Sequence, residues 1–289
     1  MGLFEAIFLG FIQGIAEFLP ISSSGHLAIF KSFFNLSEIG VAFDVLLHLG
    51  TLVAVFIVYW KDIVQLIKDG IGIIVDSCFN VYAAVKNRMG SRLEYRNILS
   101  TSYRKFALLV IVSTIPTGII ALLAKDLIDA ASRTMIIPGI CLLITGVLLL
   151  IADILPDGKK TPKKATFGNA LFIGITQGIA TLPGLSRSGT TITAGLLSGF
   201  RRDFAVKYSF IMSIPAILGA VVLEVKDLFT VNTTTTEMVN YAVGTLVAGI
   251  VGFICIKTML VVVKNKKFKY FAYYCFLAGT IAIAVHIVR

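Results

Sequence analysis

An acidic residue inside an apolar stretch is the first feature of chemical interest in this sequence. Glu17 lies close to the N-terminus among apolar neighbours, and Gln13 precedes it by four positions. Residues four apart share one face of an α-helix, so the two side chains are expected to point together toward the same turn. Ionisable groups at membrane depth are costly and usually functional, which makes Glu17 a candidate catalytic residue.

A proline and a run of serines follow directly. Pro20 is expected to end the helix, and Ser22 or Ser23 is placed to cap the next one. The first backbone N–H groups of that second helix would then be free to bind an anion. Ser23 and His26 are three positions apart, so their hydroxyl and imidazole groups are predicted to lie within reach of one another. Such a pair can supply a nucleophile and a proton carrier.

The same polar pattern occurs a second time in the chain. When the sequence is shifted by 164 positions without gaps, GFIQGIAEFLPISSSGH lies over GITQGIATLPGLSRSGT with eight identities in seventeen positions. This agreement exceeds what shared composition alone would give. The segment from Gln13 to His26 is therefore predicted to have a structural counterpart from Gln177 to Thr190.

The second segment keeps the architecture and changes the chemistry. Pro183 and Gly184 break the helix, and Arg187 stands where the first segment has Ser23. A guanidinium group binds phosphate in bidentate fashion and stays charged. Further phosphate contacts are expected around the two turns, although the same hydroxyl groups can equally act as helix caps: Ser22, Ser24, Gly25, Ser186, Ser188 and Thr190.

The elements that hold these residues must lie in a membrane. The 289 residues are 57% hydrophobic and 15% charged, and their mean hydropathy is +0.90, which is too apolar for a soluble surface. The net charge of +10 comes from basic residues clustered between apolar runs. That pattern is typical of cytoplasmic membrane loops, and nucleic-acid binding is not expected. No basic region precedes the first apolar stretch, so no removable signal peptide is predicted.

Six apolar stretches are long enough to cross a bilayer. The predicted spans are residues 41–60, 106–124, 135–153, 206–223, 241–263 and 270–288. Regions 3–34 and 167–200 are also apolar, but their polar turns split each into two short halves, which predicts re-entrant helical hairpins. Residues 63–85 are moderately apolar but charged and are expected to lie on the membrane interface. Four aromatic residues are interpreted as interface residues: Trp60, Tyr270, Tyr273 and Tyr274.

These elements predict an all-α polytopic membrane protein with one domain over residues 1–289. It consists of a first repeat over 1–153 and a second over 167–289. Each hairpin precedes three spans, and an odd number of crossings inverts the second copy relative to the first. The basic segments 61–105, 159–164 and 264–269 then all fall on the cytoplasmic side. Under this topology the two hairpin tips meet near the bilayer midplane.

The two motifs resemble those of a known family. GFIQGIAEFLPISSSGH is similar to the [E/Q]xxxE motif and the Ser-rich, His-containing segment of bacterial undecaprenyl-diphosphate phosphatases of the bacitracin-resistance type, and PGLSRSGTT resembles their PGxSRSxxT motif. The resemblance extends over nearly the whole chain. It implies hydrolysis of undecaprenyl diphosphate to the monophosphate in the bacterial plasma membrane, which recycles the lipid carrier for cell-wall synthesis. It also implies an active site open to the outer side and a divalent cation, Mg²⁺ or Ca²⁺.

The resemblance also implies roles for individual residues. Glu17 matches the essential acidic residue of the family, His26 its motif histidine, and Arg187 the arginine of its SRS element. Gln13 stands where the family has Glu or Gln, so a metal held by Glu17 and Gln13 would have a single protein carboxylate. The substrate phosphates would then supply most of the other ligands.

Three mechanisms remain open at this stage. Ser23 can attack the terminal phosphorus while Glu17 or His26 takes its proton, His26 can attack directly, or an activated water can do so. Glu17 and Arg187 also have a purely structural interpretation as an ion pair between the repeats. Asp44 and His48, four positions apart, are interpreted as residues that orient a neighbouring helix rather than as site residues.

Other functional classes remain to be weighed. A transporter or flippase for lipid phosphates would use the same inverted repeat with broken helices. A phosphatidic-acid-type phosphatase needs a second histidine after its Ser-Arg element, and here the chain has none after Arg187 until His286. The expected partners are therefore a polyprenyl diphosphate and the bilayer, and the sequence leaves open whether the chain forms a homodimer.

Overall fold

A computed structural model describes residues 1–34, 41–230 and 234–288, and in these residues the fold is entirely helical. The predicted hairpin 3–34 and the predicted span 41–60 both lie within the described residues. The twelve helices are α1 Leu3–Phe18, α2 Ser23–Phe33, α3 Val41–Val58, α4 Trp60–Arg88, α5 Ser102–Leu123, α6 Lys125–Ser132, α7 Ile136–Ile154, α8 Phe167–Ile179, α9 Arg187–Leu197, α10 Arg202–Thr230, α11 Thr235–Lys264 and α12 Phe268–Val288.

Five helices of this part of the chain are long and apolar enough to cross a membrane by themselves. They are α5, α7, α10, α11 and α12, and they correspond to five of the six predicted spans. The sixth prediction, 41–60, corresponds to α3, which meets the same test only together with α4. The two helices are bent by 85° where they join, so α4 runs nearly perpendicular to α3.

Each of the two polar regions forms a pair of short helices, as predicted. In the first region α1 ends at Phe18 and α2 begins at Ser23. In the second, α8 ends at Ile179 and α9 begins at Arg187. With 16, 11, 13 and 11 residues, every one of these helices is shorter than the roughly 20 residues that a full span requires.

Glycines let the first helix of each pair pack closely against a long helix. α1 packs on α11, and a Cβ atom on Gly10 would collide with the carbonyl oxygen of Gly244. α8 packs on α5, and a Cβ atom on Gly174 would collide with the carbonyl oxygen of Ser113. Small residues at such crossings bring membrane helices together through van der Waals contact.

Hydroxyl groups reinforce the crossing of α8 and α5. Ser113 on α5 donates to the carbonyl of Ala170 at 2.9 Å, and Thr117 donates to the carbonyl of Gly174 at 2.8 Å. Both hydroxyl groups are buried, where an unpaired polar group would be costly. The close approach and these hydrogen bonds fix α8, and through it the turn that follows.

A single methyl group should test this packing. We expect Gly10→Ala to destabilise the protein by about 1–3 kcal/mol, since the added atom meets backbone that cannot move aside. The measurement is the thermal unfolding midpoint in detergent, which should fall by several degrees. Gly118→Ala in α5 is the matched control, because its added Cβ meets nothing within 4 Å. Equal midpoints for the two variants would contradict the close crossing of α1 and α11.

Candidate active site

The candidate site begins with two helix N-termini that are capped in the same way. Ser22 precedes α2 and its Oγ accepts a hydrogen bond from the N–H of Gly25 at 3.3 Å. Ser186 precedes α9 and its Oγ accepts from the N–H of Gly189 at 3.0 Å. Ser22, rather than Ser23, is thus the cap of the first pair. Each capping residue leaves the other early N–H groups of its helix available for an anion.

The two turns are in direct contact. A Cβ atom on Gly25 would lie 2.7 Å from the Cα atom of Gly184 in the opposite turn. A Cβ atom on Gly189 would lie 3.3 Å from the Cβ atom of Pro20. Gly184 also has a positive φ of 95°, which favours glycine. The start of α2 and the turn before α9 therefore meet without any larger side chain between them.

Glu17 is the centre of the polar cluster at this meeting point. Its side chain is only 3% exposed and forms an ion pair with the Nη2 of Arg187 through Oε1. Its other oxygen, Oε2, accepts hydrogen bonds from Ser23 Oγ at 2.6 Å and from Gln13 Nε2 at 3.0 Å. The prediction that Gln13 and Glu17 share one helix face is confirmed. The ion pair joins the two hairpins, as the structural interpretation of Glu17 expected.

His26 has partners other than Ser23. Its Nδ1 lies 2.8 Å from the carbonyl oxygen of Ser22, and its Nε2 lies 2.7 Å from the hydroxyl of Tyr274. A carbonyl can only accept, so Nδ1 carries a proton, and Nε2 shares a hydrogen bond with the hydroxyl of Tyr274. Among the hydrogen bonds of the described residues none joins Ser23 to His26, and their predicted proximity stays a prediction.

Tyr274 also lies at the site. The sequence favours an interface aromatic at this position, but the ring stacks on the imidazole of His26, with centroids 5.5 Å apart and an interplanar angle of 12°. The side chain is still 41% exposed. The two residues are 248 positions apart, and no local pattern in the sequence connects them. Only the packing of α12 beside the first turn brings them together.

His48 also reaches the site. Its Nε2 lies 3.7 Å from Glu17 Oε2, and its Nδ1 lies 2.7 Å from the carbonyl of Asp44. Asp44 itself pairs with Lys31 at 2.6 Å. In the sequence, the four-residue spacing of Asp44 and His48 predicts only that the two residues orient a neighbouring helix. The structure instead places the imidazole of His48 beside the carboxylate of Glu17.

Thr145 on α7 supports the turn of the second hairpin. Its Oγ1 donates to the carbonyl of Gly184 at 3.0 Å and accepts from the N–H of Ser186 at 3.0 Å. Sequence reasoning missed this residue because a threonine in an apolar helix carries no specific signal. Nearby, the Oγ1 of Thr190 is buried and has no hydrogen-bond partner among the residues described. A buried hydroxyl of this kind is a ready contact for a bound anion.

The remaining predicted phosphate contacts lie around the same two turns. The hydroxyl of Ser24 is 3.4 Å from that of Ser22, and the hydroxyl of Ser188 is 3.3 Å from that of Ser186. These serines are therefore placed beside the capped helix starts. In the described residues no group of three or more His, Cys, Asp or Glu side chains is arranged to hold a metal ion.

A long apolar groove lies outside the polar cluster. It has a volume of about 990 Å³ and follows the contact between α3 and α11. Gly50, Ala54, Tyr241, Gly249 and Phe253 are among its lining residues. Gly50 lies two positions after His48 on the same helix, so one part of the groove runs beside the helix that brings an imidazole to Glu17.

The chain was compared with known proteins. Residues 6–281 match the family model described as bacitracin resistance protein BacA. The chain is 40% identical over 288 residues to an undecaprenyl-diphosphatase of Methanosphaera stadtmanae, with 100% of this chain and 99% of that protein covered. It is 42% identical over 284 residues to an undecaprenyl-diphosphatase of Alkaliphilus metalliredigens, covering 98% of each. An undecaprenyl-diphosphatase 4 of Bacillus thuringiensis is 38% identical, with 99% and 98% covered.

The support from Thr145 leads to a prediction on stability. Thr145→Val keeps the shape of the side chain but leaves the carbonyl of Gly184 and the N–H of Ser186 unpaired, which costs about 1–3 kcal/mol for each buried group. The unfolding midpoint in detergent should therefore fall, while Thr145→Ser should stay closer to wild type. Thr258→Val is the control, because that exposed hydroxyl bonds only within its own helix. If Thr145→Val and Thr258→Val behaved alike, the turn would not depend on Thr145.

Proposed function

The chain belongs to the family of the bacitracin resistance protein BacA, and we infer from this membership and from the site that it is an undecaprenyl-diphosphatase. It hydrolyses undecaprenyl diphosphate to undecaprenyl phosphate and phosphate. This reaction recycles the lipid carrier of cell-wall synthesis and confers bacitracin resistance. The observation that supports the inference most directly is the cluster in which Ser23 donates to Glu17 beside the guanidinium of Arg187.

The geometry favours Ser23 as the nucleophile and Glu17 as its base. Ser23 Oγ already donates to Glu17 Oε2 at 2.6 Å, which is the hydrogen bond that a general base needs. In the proposed first step the Ser23 oxygen forms a bond to the terminal phosphorus and its proton passes to Glu17. The bond from that phosphorus to the bridging oxygen breaks, and undecaprenyl phosphate leaves. Water then hydrolyses the phosphoserine, releases phosphate and restores Ser23.

His26 is less suited to act as the base for Ser23. Its Nδ1 carries a proton toward the carbonyl of Ser22, and its Nε2 is occupied by the hydroxyl of Tyr274. The pair of His26 and Tyr274 is instead placed to exchange a proton near the leaving group or the incoming water. Direct attack by His26 would require the Tyr274 contact to open first.

Arg187 and the two helix starts are proposed to bind the diphosphate. In the structure Arg187 is paired with Glu17, and the negative phosphates would draw its guanidinium group away from the carboxylate. Bidentate binding by arginine and the N–H groups at the starts of α2 and α9 would stabilise the charge that develops on the transferred phosphoryl group. The unpaired hydroxyl of Thr190 adds one more donor.

A divalent cation, Mg²⁺ or Ca²⁺, is part of the proposal. The Oε1 of Gln13 is buried and lacks a hydrogen-bond partner in the described part of the chain, and Glu17 lies four residues away. These two oxygen donors fit a cation that takes its other ligands from the diphosphate and water. When bound, the cation would neutralise part of the charge of the diphosphate.

The proposed architecture is an inverted repeat. Gly10 and Gly174, which are equivalent in the shifted alignment, make the same kind of close approach to α11 and α5. Gly14 and Gly178 are also equivalent, and added Cβ atoms there would lie 2.7 Å from Val251 and 2.8 Å from Ile120. Each hairpin thus packs on a helix of the other half. This exchange supports two re-entrant hairpins that approach from opposite sides.

The chain is a multi-pass membrane protein, and we propose that its site opens to the outer side of the plasma membrane. The basic segments 61–105, 159–164 and 264–269 would lie in the cytoplasm. The apolar groove between α3 and α11 is a suitable place for part of the polyprenyl chain, because such chains bind by burial of apolar surface. The diphosphate would then reach the hairpin turns from within the bilayer.

Phosphate release is the test of the proposed activity. Purified protein in detergent should release phosphate from a long-chain polyprenyl diphosphate with Mg²⁺ or Ca²⁺, and a chelator should stop the reaction. Glu17→Gln and Arg187→Ala are expected to lower kcat/KM by roughly 10²–10⁴-fold. The first variant removes the proposed base, and the second removes the positive charge that binds the phosphates. Glu94→Gln and Arg133→Ala, at exposed sites, should stay near wild type. If wild type released no phosphate, lipid translocation would become the function to assay.

The identity of the nucleophile can be tested separately. Rapid acid quench with substrate labelled in its terminal phosphate should trap an acid-stable phosphoserine, and Ser23→Ala should abolish both the label and turnover. Ser132→Ala, an exposed serine bonded only within its own helix, is the control. A label that survives an alkaline quench but not an acid quench would point to His26, and single-turnover hydrolysis without a label under either quench would point to water.

A further inference from the structure

Helix α4 has no role in the site described above. It extends over Trp60–Arg88 and is bent by 85° from α3. At 29 residues it is about 43 Å long. Its first seventeen residues contain Lys61, Asp62, Lys68, Asp69 and Asp76, which is too many charges for a helix that crosses the bilayer.

A line of aspartates fixes the rotation of α4 about its own axis. Asp62, Asp69 and Asp76 are spaced seven residues apart, so they share one face. Each pairs with groups at the start of α5, in the segment just before it, or on α10. Asp62 accepts from Tyr103 at 2.6 Å and pairs with Lys207 at 2.8 Å, Asp69 accepts from Thr101 at 2.8 Å, and Asp76 pairs with Arg104 at 2.6 Å and Arg96 at 3.1 Å.

The opposite face of α4 is apolar and exposed. Trp60 is 61% exposed and Ile74 is 64% exposed. Trp60 and Cys78 are eighteen residues apart, which is five full turns, so they mark the two ends of the same stripe. Between them the stripe includes the exposed side chains of Ile67 and Ile71. Because the hydrogen bonds and ion pairs of the aspartates fix the opposite face against the protein, α4 cannot rotate to bury this stripe.

Lysines line one edge of the apolar stripe. Lys61, Lys68 and Lys86 lie within about 20° of one another around the helix axis, and none of them forms an ion pair with another described residue. By contrast, the arginines that reach α4 are neutralised by Asp76. The segment from Trp60 to Lys105 has eight basic and four acidic residues, and its unpaired positive charge lies beside the exposed apolar surface.

We propose that α4 is an interfacial helix that binds anionic phospholipids of the leaflet in which it lies. The apolar stripe enters the upper hydrocarbon region, and Lys61, Lys68 and Lys86 contact the phosphate headgroups. A second copy of the chain is a poorer occupant of this surface. An antiparallel twofold contact through the stripe would bring the same unpaired lysine edge of both copies together, without carboxylates to neutralise it.

The chain contains native reporters at both ends of the stripe. Trp60 is its only tryptophan, and Cys78 is exposed whereas the other three cysteines are buried. In vesicles that contain the full chain, lipids brominated near the headgroup end of their acyl chains should quench Trp60. A nitroxide on Cys78 should be more accessible to oxygen than to an aqueous nickel chelate. Strong accessibility to the nickel chelate, or insensitivity of both reporters to lipid, would overturn the proposal.

Lipid selectivity tests the role of the lysines. In mixed vesicles, brominated phosphatidylglycerol should half-quench Trp60 at a concentration at least about twofold lower than brominated phosphatidylcholine does. The combined variant Lys61→Gln, Lys68→Gln and Lys86→Gln should bring the two concentrations together. High salt should have the same effect on wild type.

A matched charge control completes the test. Lys159→Gln, Lys163→Gln and Lys164→Gln together remove the same charge from exposed positions in another basic segment, and this variant should keep the preference of wild type. Equal quenching by both lipids in wild type, or an equal loss in the control, would overturn the assignment of anionic lipid to α4. Neither result would affect the proposed hydrolysis, which depends on a different part of the chain.

Discussion

The ion pair between Glu17 and Arg187 is the interaction on which the rest of the site depends. Glu17 is almost completely buried, and an unpaired carboxylate in such surroundings would cost several kcal/mol. Its partner comes from the other hairpin, 170 positions later in the chain. Neither hairpin can therefore hold its charge without the other, and the two turns have to meet. The capping serines and the glycines at the two turns lie around this ion pair and allow the contact.

The fold brings the turns together through close backbone contact. Gly10 and Gly174 let the first helix of each hairpin approach a long helix, and Gly25 and Gly184 let the two turns touch. Hydrophobic burial gives little drive to associate helices inside lipid, so van der Waals contact and hydrogen bonds such as those of Thr145 have to supply it. These contacts fix the positions of the helices that carry the two partners of the ion pair. In the proposed mechanism a diphosphate competes for Arg187 while the helices stay in place.

Much of this site can be predicted from the sequence because its central residues are close together in the chain. The four-residue spacing of Gln13 and Glu17 predicts that they share one helix face, where they form a hydrogen bond, and the shifted alignment makes Ser22 equivalent to Ser186, both of which are caps. Tyr274, His48 and Thr145 could not be predicted in the same way. Each reaches the site from a separate long helix, and its contribution depends on the rotation of that helix. Ser23 hydrogen-bonds to Glu17 and His26 to Tyr274, so the expected pairing of Ser23 with His26 stays a prediction.

The central claim is that Glu17 holds Arg187 until a diphosphate replaces it. Calorimetric binding of a non-hydrolysable, methylene-bridged polyprenyl diphosphate analogue tests this claim most directly. With the divalent cation removed by a chelator and Arg187 released from its carboxylate, Glu17→Gln should bind the analogue at least as tightly as wild type although it cannot turn over substrate. Arg187→Gln should bind it at least about tenfold more weakly. If Glu17→Gln lost binding to the same extent as Arg187→Gln, the exchange of partners at the centre of the site would be contradicted.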